Sequence, residues 1–182
     1  MKILLHICCA PCSIYPIKTL QEIDMDITGF FYRYNIHPFQ ECLKREEESA
    51  KYSKSIGLPM IFQKDYKIEE FIQSIAFRES QRCQYCYYHR LKTTAAIAKK
   101  GKFQGFTTTL LYSKFQNHKL LKQTGYAVAK EYGINFFYHD FRENWKNGIN
   151  ESKRLSMYRQ QYCGCIYSEK ERYLQSKAIV QN

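Results

Sequence analysis

The clearest indication of the fold is the N-terminal segment Lys2-Ile3-Leu4-Leu5-His6-Ile7-Cys8-Cys9-Ala10-Pro11-Cys12. Its first half, residues 2–7, is a short apolar run, which is typical of a buried strand. Residues 14–23 follow it with the spacing of a helix. In parallel α/β sheets the residues directly after a strand lie at the carboxyl edge, where ligands bind. We therefore expect the thiols of residues 8–12 to line a site at that edge.

The rest of the chain repeats this alternation of apolar runs and helix-like segments. Further strand candidates are residues 27–32, 58–62, 103–111 and 134–138, and further helix candidates are residues 39–56, 86–100 and 119–131. Three glycines fall where such helices should end: Gly57, Gly101 and Gly133. The pattern predicts an α/β fold with a mostly parallel, Rossmann-like sheet and flanking helices. We expect a single domain over residues 1–182, with a helical C-terminal segment over residues 143–177 that is broken at residues 163–165.

The charge of the chain is strongly positive and unevenly placed. Its 182 residues include 28 Lys and Arg against 17 Asp and Glu, a formal net charge of +11. Residues 80–130 contain no Asp or Glu, and their basic residues are Arg82, Arg90, Lys92, Lys99, Lys100, Lys102, Lys114, Lys119, Lys122 and Lys130. Solvated helix faces would explain this stretch, and so would a surface that contacts nucleic-acid phosphates. Five tyrosines adjoin the cysteines and are candidates to stack on an unpaired base: Tyr85, Tyr87, Tyr88, Tyr162 and Tyr167.

The composition excludes several classes of protein. With 45% hydrophobic residues, 8 Gly and 4 Pro, the chain is neither disordered nor collagen-like. No apolar run approaches the roughly 18 residues of a membrane span, and residues 1–7 are too short and too polar for a signal peptide. A glycine-rich phosphate loop is absent, which argues against ATP chemistry. We expect a cytoplasmic protein that does not engage a membrane.

Seven of the eight cysteines form three groups, and these define the expected site. The groups are Cys8-Cys9-Ala10-Pro11-Cys12, Cys83-Gln84-Tyr85-Cys86 and Cys163-Gly164-Cys165, whereas Cys42 stands alone and is expected in the core. Cytoplasmic thiols stay reduced, so clustered cysteines indicate metal or redox chemistry. Thiolates suit iron-sulfur clusters and zinc alike. Because four ligands close a structural zinc site, the three remaining thiols indicate a second metal or a redox-active dithiol.

Other polar residues near the predicted strand ends are weaker candidates. Side chains that are neighbours on a strand point to opposite faces, so Cys8 and Cys9 are expected to have different roles. His6 is expected to be a hydrogen-bonded core residue rather than a ligand. His37 and Asp140 follow strands and are candidates for the same crevice. Asp140 is interpreted as a metal ligand or proton donor, with a helix cap or ion pair as the alternative.

At these positions the chain resembles the cobalamin-independent epoxyqueuosine reductases of tRNA queuosine biosynthesis. The motifs that carry the resemblance are residues 6–12 (HICCAPC), 35–38 (NIHP), 82–91 (RC, CY and RL), 108–111 (TTLL), 140–142 (DFR) and 158–168 (YRQ, YCGC and YS). Six motifs in this order span most of the chain and are far more specific than one Cys-x-x-Cys pair. Two loop positions depart from the family: Arg33-Tyr34 stand where Asn-Pro is usual, and Lys114 stands where Pro is usual. These departures concern substrate contacts rather than the reaction.

The resemblance implies a reaction, two cofactors and two partners. The reaction removes the epoxide oxygen from epoxyqueuosine in tRNA with two electrons and two protons, giving queuosine. The cofactors are a [4Fe-4S] cluster and an additional iron ion, on a nucleotide α-hydrolase-like sheet that lacks the ATP motif. The partners are tRNA, whose anticodon-loop epoxyqueuosine is bound through the basic stretch of residues 82–130, and an electron donor that the sequence does not identify.

The expected metal ligands are all seven clustered cysteines: Cys8, Cys9, Cys12, Cys83, Cys86, Cys163 and Cys165. Cys8, Cys9, Cys83 and Cys86 are assigned to cofactor binding, and Cys12, Cys163 or Cys165 to the lone iron. Cys12 and Asp140 are the predicted catalytic residues, with Asp140 as proton donor or additional ligand.

Three other functions remain open at this point. A zinc-containing RNA-binding module would share the charge and the thiols. An iron-sulfur tRNA sulfur-inserting enzyme would share the fold and the cluster, but it should carry an ATP-binding loop where this chain has residues 8–12. A thiol-disulfide oxidoreductase would need only one Cys-x-x-Cys pair.

Overall fold

The centre of the fold is a five-stranded sheet. A computed structural model describes residues 1–180, with side chains through residue 174. The strands are β1 (Lys2–Ile7), β2 (Asp26–Phe31), β3 (Met60–Phe62), β4 (Gly105–Thr108) and β5 (Asn135–Phe136). Their order is β3-β2-β1-β4-β5, and every neighbouring pair is parallel. The predicted parallel, Rossmann-like sheet is confirmed, while the last two residues of the domain predicted over residues 1–182 lie outside the described part.

Helices cover both faces of this sheet. They are α1 (Ala10–Glu22), α2 (Phe39–Ser55), α3 (Ile68–Ile75), α4 (Arg82–Lys100), α5 (His118–Tyr132), α6 (Trp145–Arg154) and α7 (Ile166–Val180). α1 packs against α2 and α6, whereas α4 packs against α5. Right-handed crossovers place these two groups on opposite faces, because the chain moves outward from β1 in one direction and from β4 in the other. None of these helices is long and apolar enough to cross a membrane.

β1 is the middle strand and is buried on both faces. Ile3, Leu4 and Leu5 are inaccessible to solvent. Because helices cover both faces of a parallel sheet, its inner strands are continuous apolar runs rather than alternating ones. The pattern of residues 2–7 therefore follows directly from the position of β1 in the sheet.

Several boundaries differ from the sequence predictions. The strand predicted over residues 103–111 ends at Thr108, because the Thr108 hydroxyl accepts a hydrogen bond from the Leu110 amide and caps a 3-10 helix over Thr109–Tyr112. α3 was not predicted; only Phe71 and Ile75 of its eight residues are buried. The break in the C-terminal helical segment spans residues 155–165 rather than three residues.

Two of the three helix-terminating glycines use left-handed backbone. Gly57 and Gly133 have φ of +67° and +60°, which suits glycine at a helix end. Gly101 follows α4 with φ of −81°. A Cβ at Gly101 would lie 2.6 Å from the Phe103 ring, so glycine is needed there for space rather than for backbone conformation.

The topology opens a crevice at one edge of the sheet. The chain leaves β1 toward one face and β4 toward the other, so the carboxyl ends of these neighbouring strands are not covered by their own helices. Residues after β1 and β4, and the starts of α1, α4 and α5, all lie at this edge. The predicted cysteine site therefore coincides with the switch point of the sheet.

Candidate metal centre

The first three cysteines meet at the crevice between β1 and β4. The Sγ atoms of Cys8, Cys9 and Cys12 all lie within 4.8 Å of one another, and those of Cys8 and Cys9 are 3.8 Å apart. The predicted opposite orientation of Cys8 and Cys9 is wrong, because β1 already ends at Ile7 and Cys9 is the N-cap residue of α1. All three side chains are buried, which shields this trio of thiols from water.

The three thiols of the buried trio shift one another's pKa values. Hydrogen bonds from Cys12 and Cys9 lower the pKa of the Cys8 thiol well below its ordinary value. The same interaction with Cys8 raises the pKa of Cys12, and burial raises the pKa of Cys9. The Thr109 hydroxyl lies 3.3 Å from the Cys8 Sγ atom and adds a further donor. Cys8 is therefore the thiol of the trio that ionises most readily.

The other four clustered thiols face one another across the start of α4 and the loop before α7. Burial raises the pKa of Cys83, and the nearby Cys163 and Cys165 thiols raise it further. Burial likewise raises the pKa of Cys86 to about 12, again with contributions from Cys163 and Cys165. The structure thus brings Cys83 and Cys86 close to Cys163 and Cys165, which lie about 80 positions later in the sequence.

The two sets of thiols are adjacent but differ in spacing. Burial raises the pKa of Cys163, and Cys8 contributes to this shift, which places Cys163 beside the trio. Within residues 1–174, no three of the other four thiols have Sγ atoms as close together as those of the trio. Metal–sulfur distances of about 2.3 Å place tetrahedral sulfur pairs about 3.8 Å apart. The trio therefore has the spacing of ligands to a single ion, whereas no three of the other four thiols among the described residues are this close together.

Three helix N-termini point toward the thiols. Cys9 caps α1, Cys83 and Cys86 lie in the first two turns of α4, and the Cys165 carbonyl accepts the amides of Ser168 and Glu169 at the start of α7. A helix N-terminus carries partial positive charge and lowers the cost of a nearby thiolate. The fold therefore favours negatively charged sulfur at this edge.

A buried arginine adds a full positive charge to the same place. Arg90 is 2% exposed, and within the described side chains it has no carboxylate partner. Its Nε atom has no hydrogen-bond partner there either. Burial lowers the pKa of Arg90, and among its neighbours the Cys86 and Cys8 thiols contribute most to raising it again. Because an unpaired buried charge is costly, the donor set fits an anionic metal–sulfur group.

The prediction for His6 as a core residue is confirmed. Burial, followed by the charge of Arg90, lowers the pKa of His6 to about 3, so the ring is neutral. Arg90 donates to Nε2 at 3.1 Å, and Nδ1 lies 2.8 Å from the Thr108 hydroxyl. Since arginine only donates, Nδ1 carries the proton. His6 therefore orients Arg90 instead of binding a metal.

The loop that carries Cys163 and Cys165 is held from α2 and from the segment after β2. Arg45, which is 1% exposed, donates to the Cys163 carbonyl at 2.8 Å and to the Tyr162 carbonyl at 3.0 Å. The His37 amide donates to the Gly164 carbonyl at 2.7 Å, and His37 Nδ1 accepts from the Ile166 amide at 3.3 Å. His37 therefore reaches the crevice as predicted, but it binds the loop backbone.

Side-chain amides donate hydrogen bonds to four of the sulfur atoms, since Gln160 reaches Cys12 Sγ at 3.6 Å as well as Cys9. Asn35 Nδ2 lies 2.8 Å from Cys86 Sγ, and Gln116 Nε2 lies 3.3 Å from Cys163 Sγ. Gln160 Nε2 lies 2.9 Å from Cys9 Sγ. Such neutral donors stabilise negative sulfur and tune the potential of a metal centre.

Comparison with known proteins assigns the chain to a family. The family described as epoxyqueuosine reductase QueH matches residues 3–171. The chain belongs to the QueH family. This membership confirms the resemblance that the sequence motifs indicated.

Two curated QueH proteins match this chain along nearly their whole length. "Epoxyqueuosine reductase QueH" of Dehalococcoides mccartyi is 38% identical over 172 residues, covering 94% of each chain. The protein of the same name from Thermotoga maritima is 33% identical over 180 residues, covering 93% of this chain and 91% of its own. These names agree with the reductase interpretation and favour neither the zinc-containing RNA-binding module nor the sulfur-inserting enzyme.

A solved structure shares the QueH fold seen here. It is described as a predicted subunit of a tRNA methyltransferase from Methanocaldococcus jannaschii, and it superposes with a TM-score of 0.61. The match covers 84% of this chain and 74% of the other, with 10% identical residues. At this identity the likeness concerns the fold alone.

In this QueH-family chain, the Asp140 carboxylate forms its hydrogen bonds with Arg142, two residues later in the sequence. It caps the 3-10 helix over Phe141–Asn144 and accepts hydrogen bonds from the Arg142 backbone and guanidinium. These hydrogen bonds with Arg142 lower the pKa of Asp140 to about 2. This geometry matches the alternative given for Asp140, a helix cap and an ion pair, while its role as a proton donor or metal ligand stays a prediction.

The basic stretch of residues 82–130 is divided between two ends of the fold. Arg90 is buried, and Arg82 pairs with Glu171 of α7. Four lysines lie at or beyond the C-terminal ends of α4 and α5, at the edge opposite the thiols: Lys99, Lys100, Lys102 and Lys130. The exposed cations near the thiol edge are Lys114, Lys119 and Lys122.

Cys42, Thr108 and Thr109 are core residues around the centre. Cys42 is fully buried beside Phe31 and Ile36, as expected for a core cysteine. The Thr108 hydroxyl bonds His6, and the Thr109 hydroxyl accepts from the Cys8 amide at 3.2 Å. These threonines therefore support the site from inside the core.

Proposed function

We propose that this chain is an epoxyqueuosine reductase that acts on tRNA. The reaction takes up two electrons and two protons, breaks both C–O bonds of the epoxide, and yields an alkene and water. Support comes from membership in the QueH family. The single observation that carries the proposal is that thiols from all three cysteine groups, Cys8, Cys86 and Cys163, lie near the buried guanidinium of Arg90.

The metal ligands are proposed to divide according to their spacing. Cys83, Cys86, Cys163 and Cys165 would hold a [4Fe-4S] cluster, because four thiols match its ligand number. Cys8, Cys9 and Cys12 would hold the additional iron, because their sulfur atoms have single-ion spacing. The sequence prediction instead assigned Cys8 and Cys9 to cofactor binding together with Cys83 and Cys86. The close spacing of the Cys8, Cys9 and Cys12 sulfur atoms favours the present division.

When bound, the cluster would supply electrons singly and the iron would act as a Lewis acid toward the C–O bond. The residues of the chain prepare this site. Arg90 compensates negative charge on the thiolates. Asn35, Gln116 and Gln160 hold sulfur atoms by hydrogen bonds. Asp140 is proposed as a cap that orders the loop after β5 rather than as the acid.

The partners follow from the placement of charge. Lys114, Lys119 and Lys122 are exposed beside the thiol edge and are proposed to contact tRNA phosphates. The lysines at the opposite edge are left out of this interface. An external reductant must supply the two electrons, because the seven clustered thiols are proposed as metal ligands and are not available for oxidation to a disulfide. A tRNA substrate and eight free thiols support the predicted cytoplasmic location.

The test is a direct assay of the holoenzyme. The protein is purified without oxygen, its iron and sulfide are measured, and it is incubated with epoxyqueuosine-containing tRNA and dithionite. Mass spectrometry of the digested nucleosides should show conversion to queuosine. A fully loaded protein that leaves epoxyqueuosine intact would refute the proposal.

A further inference from the structure

A cavity of about 240 Å³ lies between α3 and α4. Its lining includes Arg78, Gln81, Gln84, Tyr85 and Tyr88. Gln84 and Tyr85 stand between Cys83 and Cys86 in the sequence, so the cavity and the centre share the first turns of α4. The cavity is slightly smaller than the roughly 300 Å³ of typical small-molecule sites. Its size suits one planar ring system better than a whole nucleotide.

One wall of the cavity is a fixed aromatic ring. Tyr85 stacks on His89 with ring centroids 4.0 Å apart, and its other contact is an edge-on approach of Phe71 at 6.0 Å. Both contacts restrain the tyrosine before any ligand arrives. A restrained aromatic ring is a low-cost platform for stacking a nucleic-acid base.

Three polar side chains of the cavity are unused by the fold. The Tyr88 hydroxyl, by contrast, donates to the Glu131 carboxylate, and the Ser74 hydroxyl donates to the Glu70 carbonyl. Arg78, Gln81 and Gln84 are exposed, and their side chains make no hydrogen bond or ion pair with any other residue whose side chain the structure describes. The two amides each offer donors and an acceptor, and the guanidinium offers a planar set of donors. Together they can recognise the edge of a base that lies against Tyr85.

Phe77 lies just outside, between the lining residues Ile75 and Arg78. Its side chain is 99% exposed, and its φ of +61° is in the left-handed region. Both features are unfavourable for a phenylalanine in water. No packing in the described part of the chain compensates for them, which indicates that this ring serves an intermolecular contact.

Charge points to a polyanionic occupant. From residue 80 to residue 130 the chain has no carboxylate. At the rim of the cavity Arg78 is exposed and has no carboxylate partner among the described side chains. Glu79, the nearest acid in sequence, turns back to accept the Phe77 amide at 3.1 Å. An unpaired stretch of RNA combines the phosphates and the exposed bases that such a surface fits.

We propose that this cavity binds an unpaired base of the tRNA anticodon loop next to the modified nucleotide. The base stacks on Tyr85 and is hydrogen-bonded by Arg78, Gln81 and Gln84, while Phe77 stacks on a neighbouring base outside. The proposal rests on the tRNA reductase function proposed above and deepens it, because it assigns the residues that hold the loop while epoxyqueuosine enters the metal centre.

The test measures binding of the metal-loaded protein to a fluorescent anticodon stem-loop under anaerobic conditions. Phe77→Ala and Arg78→Ala should each raise the Kd roughly tenfold, the scale of one stacked base. Two matched controls lie at the opposite edge of the sheet: Ile23→Ala removes an exposed apolar side chain, and Lys54→Ala removes an exposed cation. Both controls should bind like the wild type.

Stem-loops with one abasic position each then identify the bound base. At one loop position the missing base should weaken wild-type binding and abolish the additional effect of Arg78→Ala. An Arg78→Ala penalty that persists at every abasic position would mean a phosphate contact and would overturn the base pocket. Wild-type affinity in both variants would overturn it as well, while queuosine formation by the wild type would leave the reductase function standing. A wild type that neither binds the stem-loop nor forms queuosine would instead refute both.

Discussion

Arg45 Nη1 donates a 2.8 Å hydrogen bond to the carbonyl oxygen of Cys163. The contact joins the middle of α2 to the loop before α7, across 118 positions of sequence. A second bond from Nη2 reaches the Tyr162 carbonyl, and Glu41 accepts the Nε proton at 2.7 Å. One buried guanidinium thus helps to fix the backbone of the candidate metal ligand Cys163.

Replacement of Arg45 should therefore lower both stability and iron content. Arg45→Met leaves Glu41 buried without its cation and should cost about 3 kcal/mol in the free energy of unfolding. Arg45→Lys keeps the charge but cannot donate to both carbonyls and the carboxylate, so it should fold and bind less iron. Denaturant titration and iron analysis measure the two effects. Lys51→Met, at an exposed position of α2, is the control; an Arg45→Lys protein with full iron would contradict the clamp.

Single cysteine substitutions should separate the two metal sites. Cys86→Ser should remove the broad visible absorbance of the cluster, because the set of four loses a ligand. Cys12→Ser should retain that absorbance and lose about one iron per chain. Turnover should fall at least a hundredfold in both. Cys42→Ser is the matched control, since this buried thiol has no thiol neighbour; loss of the cluster in Cys12→Ser would contradict the division.

Asp140→Asn should affect stability more than chemistry. The Asp140 pKa is lowered from 3.8 to about 2, so its stabilisation is fully present above pH 3.8 and is lost as the pH falls toward 2. Because the carboxylate is partly exposed, the loss should be below about 1 kcal/mol. Turnover should stay within tenfold of the wild type, with an unchanged pH profile. A hundredfold loss with intact iron would restore Asp140 as a catalytic residue.

Gly125→Ala should destabilise the fold although alanine favours helices. A Cβ at this position of α5 would lie 2.2 Å from the Phe136 ring of β5. Overpacking of this kind costs about 1–3 kcal/mol, which exceeds the gain of about 1 kcal/mol from helix propensity. Ala127→Gly, on the exposed face of α5, should lose about that 1 kcal/mol. Thermal unfolding compares the two, and a stabilised Gly125→Ala protein would contradict the packing between α5 and β5.

Sequence patterns were sufficient for the sheet and for the location of the site. The apolar run of residues 2–7 identifies β1, because a strand covered on both faces has no polar positions. Its carboxyl end then places Cys8, Cys9 and Cys12 at the switch point. The same reasoning failed for the orientation of Cys8 and Cys9. Both residues follow the end of β1 at Ile7, so the alternation of a strand does not apply to them and their sulfur atoms lie together.

Long-range contacts were the part that local pattern could not supply. Arg45 lies among charged residues of α2 and has the sequence signature of a solvated cation, yet its partners are carbonyls more than 100 residues away. Arg90 was counted with the surface charges for the same reason. α3 was missed because it is only eight residues long and buries only Phe71 and Ile75. Each of these features depends on what the tertiary fold places opposite the residue.

The most direct test of the central claim is the metal content of the anaerobically purified protein. Three separate segments of chain should hold about five iron and four sulfide per polypeptide, corresponding to one [4Fe-4S] cluster and one additional iron. Iron and sulfide analysis with Mössbauer spectroscopy should therefore resolve a cluster and a separate mononuclear site. A colourless protein that binds zinc alone, with no acid-labile sulfide after reconstitution, would contradict the account.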